Sequence, residues 1–303
     1  MSNIIQVERR VSEKSENKFL SEYARITDVD NIIDFECEIH DENDNFLGYY
    51  VPGAVAEKFT EVFEYASKMK IGSDMRITST GKNVSQATRT NVHGEKVDIP
   101  YTGVLGAFEQ DAGERFRAHC RLTNFTKENF NLVYRDMMPL WNDIERVYKE
   151  KMPEDYMNQC NTADKLRTDW RFLNTPFTTV TVNNNFRTAY HRDAGDLIGK
   201  GQAWSIICTG WRDGKFYGNE LVFPAYRIGF QMAHGDLLIC NPHHVHGNLP
   251  RSRGERISFV CYIREKIFGC MSASEESDYG KKISEWRFFG NKDANSKPRR
   301  TNK

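Results

Sequence analysis

The sequence has no charge excess of either sign: Lys+Arg and Asp+Glu number 42 each, so net charge selects no polyanionic partner. A neutral chain can still carry a local basic groove, so a nucleic-acid enzyme is not excluded. No apolar run approaches membrane-spanning length, and the N-terminus lacks the apolar stretch of a secretory leader. The chain reads as soluble and intracellular. Seven cysteines, at 37, 120, 160, 208, 240, 261 and 270, never form C-x-x-C. Scattered and odd in number, they read as reduced buried thiols, neither a disulfide framework nor a zinc site. No Pro/Gly-rich linker or internal repeat divides the 303 residues. The expectation is one domain over 1–290 and a flexible basic tail over 291–303.

Residues 1–20 are polar and read as ragged. Residues 32–51 read as two strands around the turn Asp41-Glu42-Asn43-Asp44. From Gly53 to Lys70, apolar residues at Val55, Phe59, Val62, Phe63, Ala66 and Met69 predict a helix with one buried face. A second helical region over about 126–151 is split by Pro139, after which Leu140, Trp141, Ile144, Val147 and Tyr148 make a clean face. From about residue 176 the character changes. TTVTVN, AWSIICTG, NELVFP, GDLLICN and RISFVCYI are short β-rich runs punctuated by Gly, Pro and Asn. They predict an antiparallel sandwich or barrel, giving an α+β chain with a mainly β core (about 174–268) braced by helices of an N-terminal extension (20–170).

His191-Arg192-Asp193 carries the first chemical signal. Residues i and i+2 of a strand or its exit project to one side, so this imidazole and carboxylate can share a metal ion. H-R-D also opens the protein-kinase catalytic loop, but Ile198 stands where that loop needs Asn, and no kinase Gly-rich loop precedes it. GDLLICNPHHVHGN offers three candidates for a third ligand, His243, His244 and His246. His244 and His246 share a face. Two histidines and a carboxylate with open positions opposite form the facial triad of non-haem Fe(II) oxygenases. Ten residues after His246, Arg256 precedes Ser258 on a final strand. A guanidinium there can clasp a carboxylate through two parallel hydrogen bonds, and Ser258 can add a hydroxyl. That suits the far carboxylate of 2-oxoglutarate.

FTTVTVNNNFRTAYHRDAGD, GNELVFP, GDLLICNPHHVHGN and ERISFVCYIR together resemble the oxygenase domain of the TET and J-binding-protein family. Those enzymes oxidise the 5-methyl group of pyrimidines in nucleic acids. The close resemblance covers about 174–265, with a weaker likeness upstream to about Thr90. The A-G-D after the H-x-D and the H-G-N around the distal histidine are nearer the J-binding-protein branch and its phage relatives. The resemblance implies a double-stranded β-helix, a cupin-like jelly roll. It implies His191, Asp193 and His246 as ligands of Fe(II), Arg256 and Ser258 as the 2-oxoglutarate site, and O2 as the oxidant. Asn219 departs from the family's second glycine in G-G-x-L, which should change a turn more than the chemistry.

The animal TET enzymes place Asn five residues after the first iron histidine, and Tyr and His six and eight after the arginine. Here those positions are Asp196, Tyr262 and Arg264. Tyr262 can stack on a flipped base. Asp196 accepts and Arg264 donates, which complements the ring N–H and carbonyls of thymine but not the bare ring nitrogen of cytosine. A mismatched buried polar pair costs on the order of 1–3 kcal/mol, roughly tenfold in preference. The resemblance thus points to a monomeric DNA thymine hydroxylase yielding 5-hydroxymethyluracil. Its setting would be the cytoplasm of a bacterial or phage-infected cell, or the nucleus of a eukaryote. The alternatives are oxidation of 5-methylcytosine in DNA, hydroxylation of a protein or small molecule, and a non-catalytic jelly roll that binds modified DNA.

Overall fold

The computed structural model describes residues 3–69, 71, 101–110, 118–199, 201–214, 217–288 and 297–298. Apart from Lys297 and Pro298, the expected basic tail lies outside the described residues. In chain order the elements are β1 (Asn3–Val7), α1 (Glu13–Glu16), β2 (Asn31–Ile33), β3 (Cys37–Asp41), β4 (Phe46–Val51) and α2 (Ala56–Ser67). There follow β5 (Tyr101–Phe108), β6 (Arg121–Leu122), α3 (Asn124–Glu128), α4 (Met138–Lys151) and α5 (Pro153–Ala163). The C-terminal part holds β7 (Thr179–Asn184), β8 (Ser205–Trp211), β9 (Tyr217–Gly218), β10 (Leu221–Phe223) and β11 (Ile228–Phe230). It ends with β12 (Asp236–Cys240), β13 (Gly247–Asn248), β14 (Arg251–Arg253), β15 (Arg256–Tyr262) and α6 (Ala273–Phe288).

Among the described residues, nine strands form one large sheet in the order β1-β3-β4-β12-β8-β15-β7-β5-β6, and four form a second in the order β13-β10-β11-β2. The large sheet is antiparallel except where β1 runs parallel to β3. Period-two alternation gives its central strands two different faces. On β15, Ile257, Phe259 and Cys261 join Phe59, Phe63, Leu140, Trp141 and Ile144 in a core roofed by α2 and α4. On β12, Leu238 and Cys240 face the other way and pack with Leu221, Phe223, Ile228 and Phe230 of the small sheet. Two sheets packed face to face, with helices outside the larger, make the sandwich expected of a jelly roll.

Close approach at the helix–sheet contact depends on Gly210. A Cβ there would lie 2.0 Å from Phe59 Cε1, the ring that also packs at 5.5 Å on Phe259. Pro139 stands in the first turn of α4, where its missing N–H costs nothing. The buried face is the one anticipated: Leu140, Trp141, Ile144, Val147 and Tyr148. A π-helical turn over Leu132–Asp136 separates it from α3.

Two expectations are corrected. Residues 3–20 are not ragged: β1 is the edge of the large sheet, and α1 places Glu16 in the interior, 2% exposed. Cys120 and Cys270 are joined in a disulfide across 150 residues of sequence, although Cys37, Cys208, Cys240 and Cys261 are buried thiols as read and Cys160 is half-buried. Folding, not sequence spacing, brings the segment before β6 against the segment before α6. The helix α6 was itself unforeseen. It buries Glu276, Tyr279 and Ile283, too sparse a stripe to stand out as a pattern. No described helix is long and apolar enough to cross a membrane.

Candidate active site

One cavity opens between the two sheets, and the alternation of the large sheet decides what it contains. Arg256, Ser258, Val260 and Tyr262 of β15, Thr181 and Asn183 of β7, and Ile207 of β8 all face it. Their odd-even neighbours face the helices. The i, i+2 relation of Arg256 and Ser258 therefore puts both on one wall. His191, Asp193, Asp196 and His246 close the same cavity from the loops at its mouth.

His191 and His246 are paired through their backbones: His191 N–H donates to His246 O at 2.9 Å, and His246 N–H to His191 O at 3.0 Å. Gly247 permits this approach, since a Cβ there would lie 2.9 Å from Tyr190 Cδ1 and 3.0 Å from Tyr190 N. His191 Nδ1–H donates to Ala189 O at 2.8 Å and His246 Nδ1–H to His244 O at 3.0 Å. Those bonds fix the tautomers and leave both Nε2 lone pairs aimed at one point. Asp193 completes the cluster, with Oδ1 3.6 Å from His191 Nε2 and Oδ2 3.7 Å from His246 Nε2. All three ligand atoms lie within 4.8 Å of one another. Burial, and then the neighbouring His191, push the His246 pKa well below its usual value, keeping the imidazole neutral. Two imidazole nitrogens and a carboxylate on one side of a cavity fit a divalent ion of the Fe(II) type. Neither rival histidine joins them. His243 Nε2 meets Asp196 O at 2.9 Å, and His244 packs on Tyr226.

Glu16 braces both ligand-bearing loops. Its carboxylate accepts from Arg192 Nη2 at 3.1 Å, between the first two ligands, and from Val245 N at 3.1 Å, next to the third. Arg9 adds a third contact at 3.0 Å. Replacing Glu16 with Ala should remove the anion shared by two part-exposed guanidinium groups and leave the buried Val245 N–H without this acceptor, costing on the order of 1–3 kcal/mol. Urea unfolding is expected to report that loss, with divalent-metal affinity falling alongside; unchanged values of both would contradict the bracing role.

Arg256 is 4% exposed. Among the described residues no carboxylate lies within ion-pair distance of it; Nη1 donates to Ser258 Oγ and Nη2 to Thr209 Oγ1, each at 3.3 Å. Desolvation, followed by the nearby Arg251 charge, holds its pKa down to about 10, so it remains a cation. Such a cation fits an anionic co-substrate entering the cavity. Asn219, expected to change a turn more than the chemistry, also reaches this guanidinium. With its carboxamide oxygen turned inward it accepts from Arg256 Nε and Nη1, each at 3.0 Å. Asn183, opposite Ser258 in the β15–β7 register, also went unread; its Oδ1 is buried without a partner among the described residues. The polar residues recurring at every second place in TTVTVN were the available sign of an inward-facing polar wall.

The three base-reading candidates divide. Asp196 and Tyr262 line the cavity. Asp196 accepts from Ser205 Oγ at 2.9 Å, and the Tyr262 hydroxyl meets Thr181 Oγ1 at 3.2 Å. Arg264 pairs with Asp196 through backbone, and its side chain forks onto Glu109 at 2.6 and 2.7 Å. It does not line the cavity.

Comparison with known proteins follows the same lines. Residues 107–265, just over half of the chain, match the family model Tet_JBP, described as the oxygenase domain of the 2OGFeDO superfamily. The "bifunctional helicase and thymine dioxygenase JBP2" of Trypanosoma brucei brucei is 31% identical over 213 residues, 69% of this chain and 18% of that protein. The "thymine dioxygenase JBP1-A" of Trypanosoma cruzi is 31% identical over 190 residues, covering 61% and 21%. The chain thus spans about a fifth of the length of these curated relatives. Among solved structures, NgTET1 in complex with 5mC DNA superposes with a TM-score of 0.52 at 13% identity, covering 92% of this chain and 90% of that one. That is a likeness of fold, and it agrees with the expected double-stranded β-helix.

Proposed function

The chain belongs to the TET/JBP family of oxygenase domains within the 2OGFeDO superfamily, and on that premise we propose that it hydroxylates the 5-methyl group of thymine in DNA to 5-hydroxymethyluracil. Fe(II) held by His191, Asp193 and His246 would, with 2-oxoglutarate and O2, supply the oxidant, one oxygen entering the methyl group and the other leaving in succinate beside CO2. The observation that carries the reading is the cavity itself. It joins a His-Asp-His cluster to a buried guanidinium whose partners among the described residues are all neutral.

Arg256 and Ser258 would hold the far carboxylate of the co-substrate, and Asn183, opposite Ser258 on β7, lines the same cavity. Phe186, Ile207, Leu221 and Val260 give the cavity apolar walls, which exclude water from the reacting methyl group. A base turned out of the stack would lie against Tyr262 and present its ring N–H to Asp196. Thymine has that proton and cytosine lacks it. The names of the two trypanosomal relatives favour the same base. Arg264, bound to Glu109, would support this wall from behind, and the chain would act as a monomer.

The test is to incubate the protein with Fe(II), 2-oxoglutarate and oligonucleotides containing thymine or 5-methylcytosine, then weigh the digested nucleosides. Thymidine should gain one oxygen. Asp196→Asn should shift the thymine-to-5-methylcytosine preference by roughly tenfold towards 5-methylcytosine. No oxygen gained on either base by iron-loaded protein would sink the nucleic-acid reading; an unmoved preference in Asp196→Asn would sink only the base-reading role.

A further inference from the structure

We propose that Asn219 positions the Arg256 clamp and thereby helps select which keto diacid this chain accepts, an inference that rests on the 2-oxoglutarate reading above. Asn219 lies between β9 and β10, is 2% exposed and has φ +68°. Few residues other than Gly hold that backbone readily, and Asn is foremost among them. Its main chain is fixed at both ends: N–H donates to Pro250 O at 3.2 Å, and its carbonyl accepts from Asn248 Nδ2 at 3.1 Å. Asn248 in turn lines the cavity and accepts from Thr188 Oγ1 at 2.6 Å. The carboxamide is therefore delivered to Arg256 from a rigid base.

Its contacts to the guanidinium, 3.0 Å each, are shorter than the 3.3 Å contacts of Ser258 and Thr209. A glycine at this position would leave only those two longer contacts. By taking Nε and one Nη1 hydrogen, Asn219 sets the plane of the group; Ser258 and Thr209 take one Nη hydrogen each, which leaves one Nη2 hydrogen beyond these contacts for an incoming carboxylate. The choice of amide matters as much as its position. An amide oxygen orients the cation without neutralising it, so the charge stays available to an incoming carboxylate. An aspartate in the same place would make its own ion pair and compete with the co-substrate. A glycine would let the guanidinium retreat, admitting a longer diacid.

Asn219→Asp and Asn219→Gly both suit the positive φ, and Gly keeps the question open should Asp fail to fold. Calorimetric titration of the Mn(II)-loaded full chain with 2-oxoglutarate, and separately with 2-oxoadipate, reads the effect without turnover. Asn219→Asp should weaken 2-oxoglutarate binding by about tenfold or more. Asn219→Gly should weaken it severalfold and narrow the discrimination against 2-oxoadipate, with Mn(II) affinity unchanged and a cooperative melting transition kept in the folded variants. Parent-like affinity and discrimination in the folded variants would overturn the proposal, as would a parallel loss of Mn(II) binding. A parent chain that binds no 2-oxoglutarate would overturn it together with the function it rests on.

Discussion

Asp193→Ala is expected to abolish divalent-metal binding and turnover together, with activity falling by at least about a thousandfold, while the thermal melt stays in place. Asp193 is the anion of the cluster, and its two oxygens face one histidine each at 3.6 and 3.7 Å. Without it two imidazoles remain, which bring no negative charge to the site and make it a poor one for a hard divalent ion. Its side chain is 32% exposed, so truncation opens no buried void. His246→Ala would be less clean, because that ring is buried and packs 5.9 Å from Phe223. Calorimetry with Mn(II), beside a turnover assay with Fe(II), checks the claim. Retention of both metal binding and product formation by Asp193→Ala would remove the cluster from the chemistry.

Arg256→Lys should raise the KM for 2-oxoglutarate by about a hundredfold and change kcat at saturating co-substrate far less. Lysine keeps the charge but loses the planar fork, and its shorter reach cannot satisfy Ser258, Thr209 and Asn219 together. Losing charge-assisted hydrogen bonds of this kind costs about 1.5–3 kcal/mol, which spans roughly ten- to hundredfold in affinity. Initial rates against 2-oxoglutarate at fixed oligonucleotide separate the two constants. An unchanged KM would mean that the guanidinium is structural.

Much of this was legible because β-strands write their two faces into alternate residues. RISFVCYI announces Arg256 and Ser258 on one side and Ile257, Phe259 and Cys261 on the other, and the structure sorts them that way. The H-x-D spacing works by the same rule. Pro139 and the stripe from Leu140 to Tyr148 likewise carry their helix in local sequence. What stayed hidden depends on partners distant in the chain. Nothing near residue 16 says that its carboxylate will reach Arg192 and Val245. Nothing near Arg264 names Glu109, so a donor that looked available for a base is committed elsewhere. The Cys120–Cys270 link spans 150 residues, and Asn219 meets Arg256 only once β10 and β15 occupy opposite sheets.

The mutual bonds between His191 and His246 have a consequence for how such a site is loaded. They belong to the main chain and owe nothing to a bound ion. The two imidazoles therefore would not need to be gathered when a metal arrives, and would not scatter when it leaves. Most of the ordering entropy of the site is settled when the chain folds. Metal exchange then becomes a local event with little conformational toll, and occupancy follows the free concentration of the ion around the protein. Iron supply, rather than refolding, would set the fraction of chains ready to react.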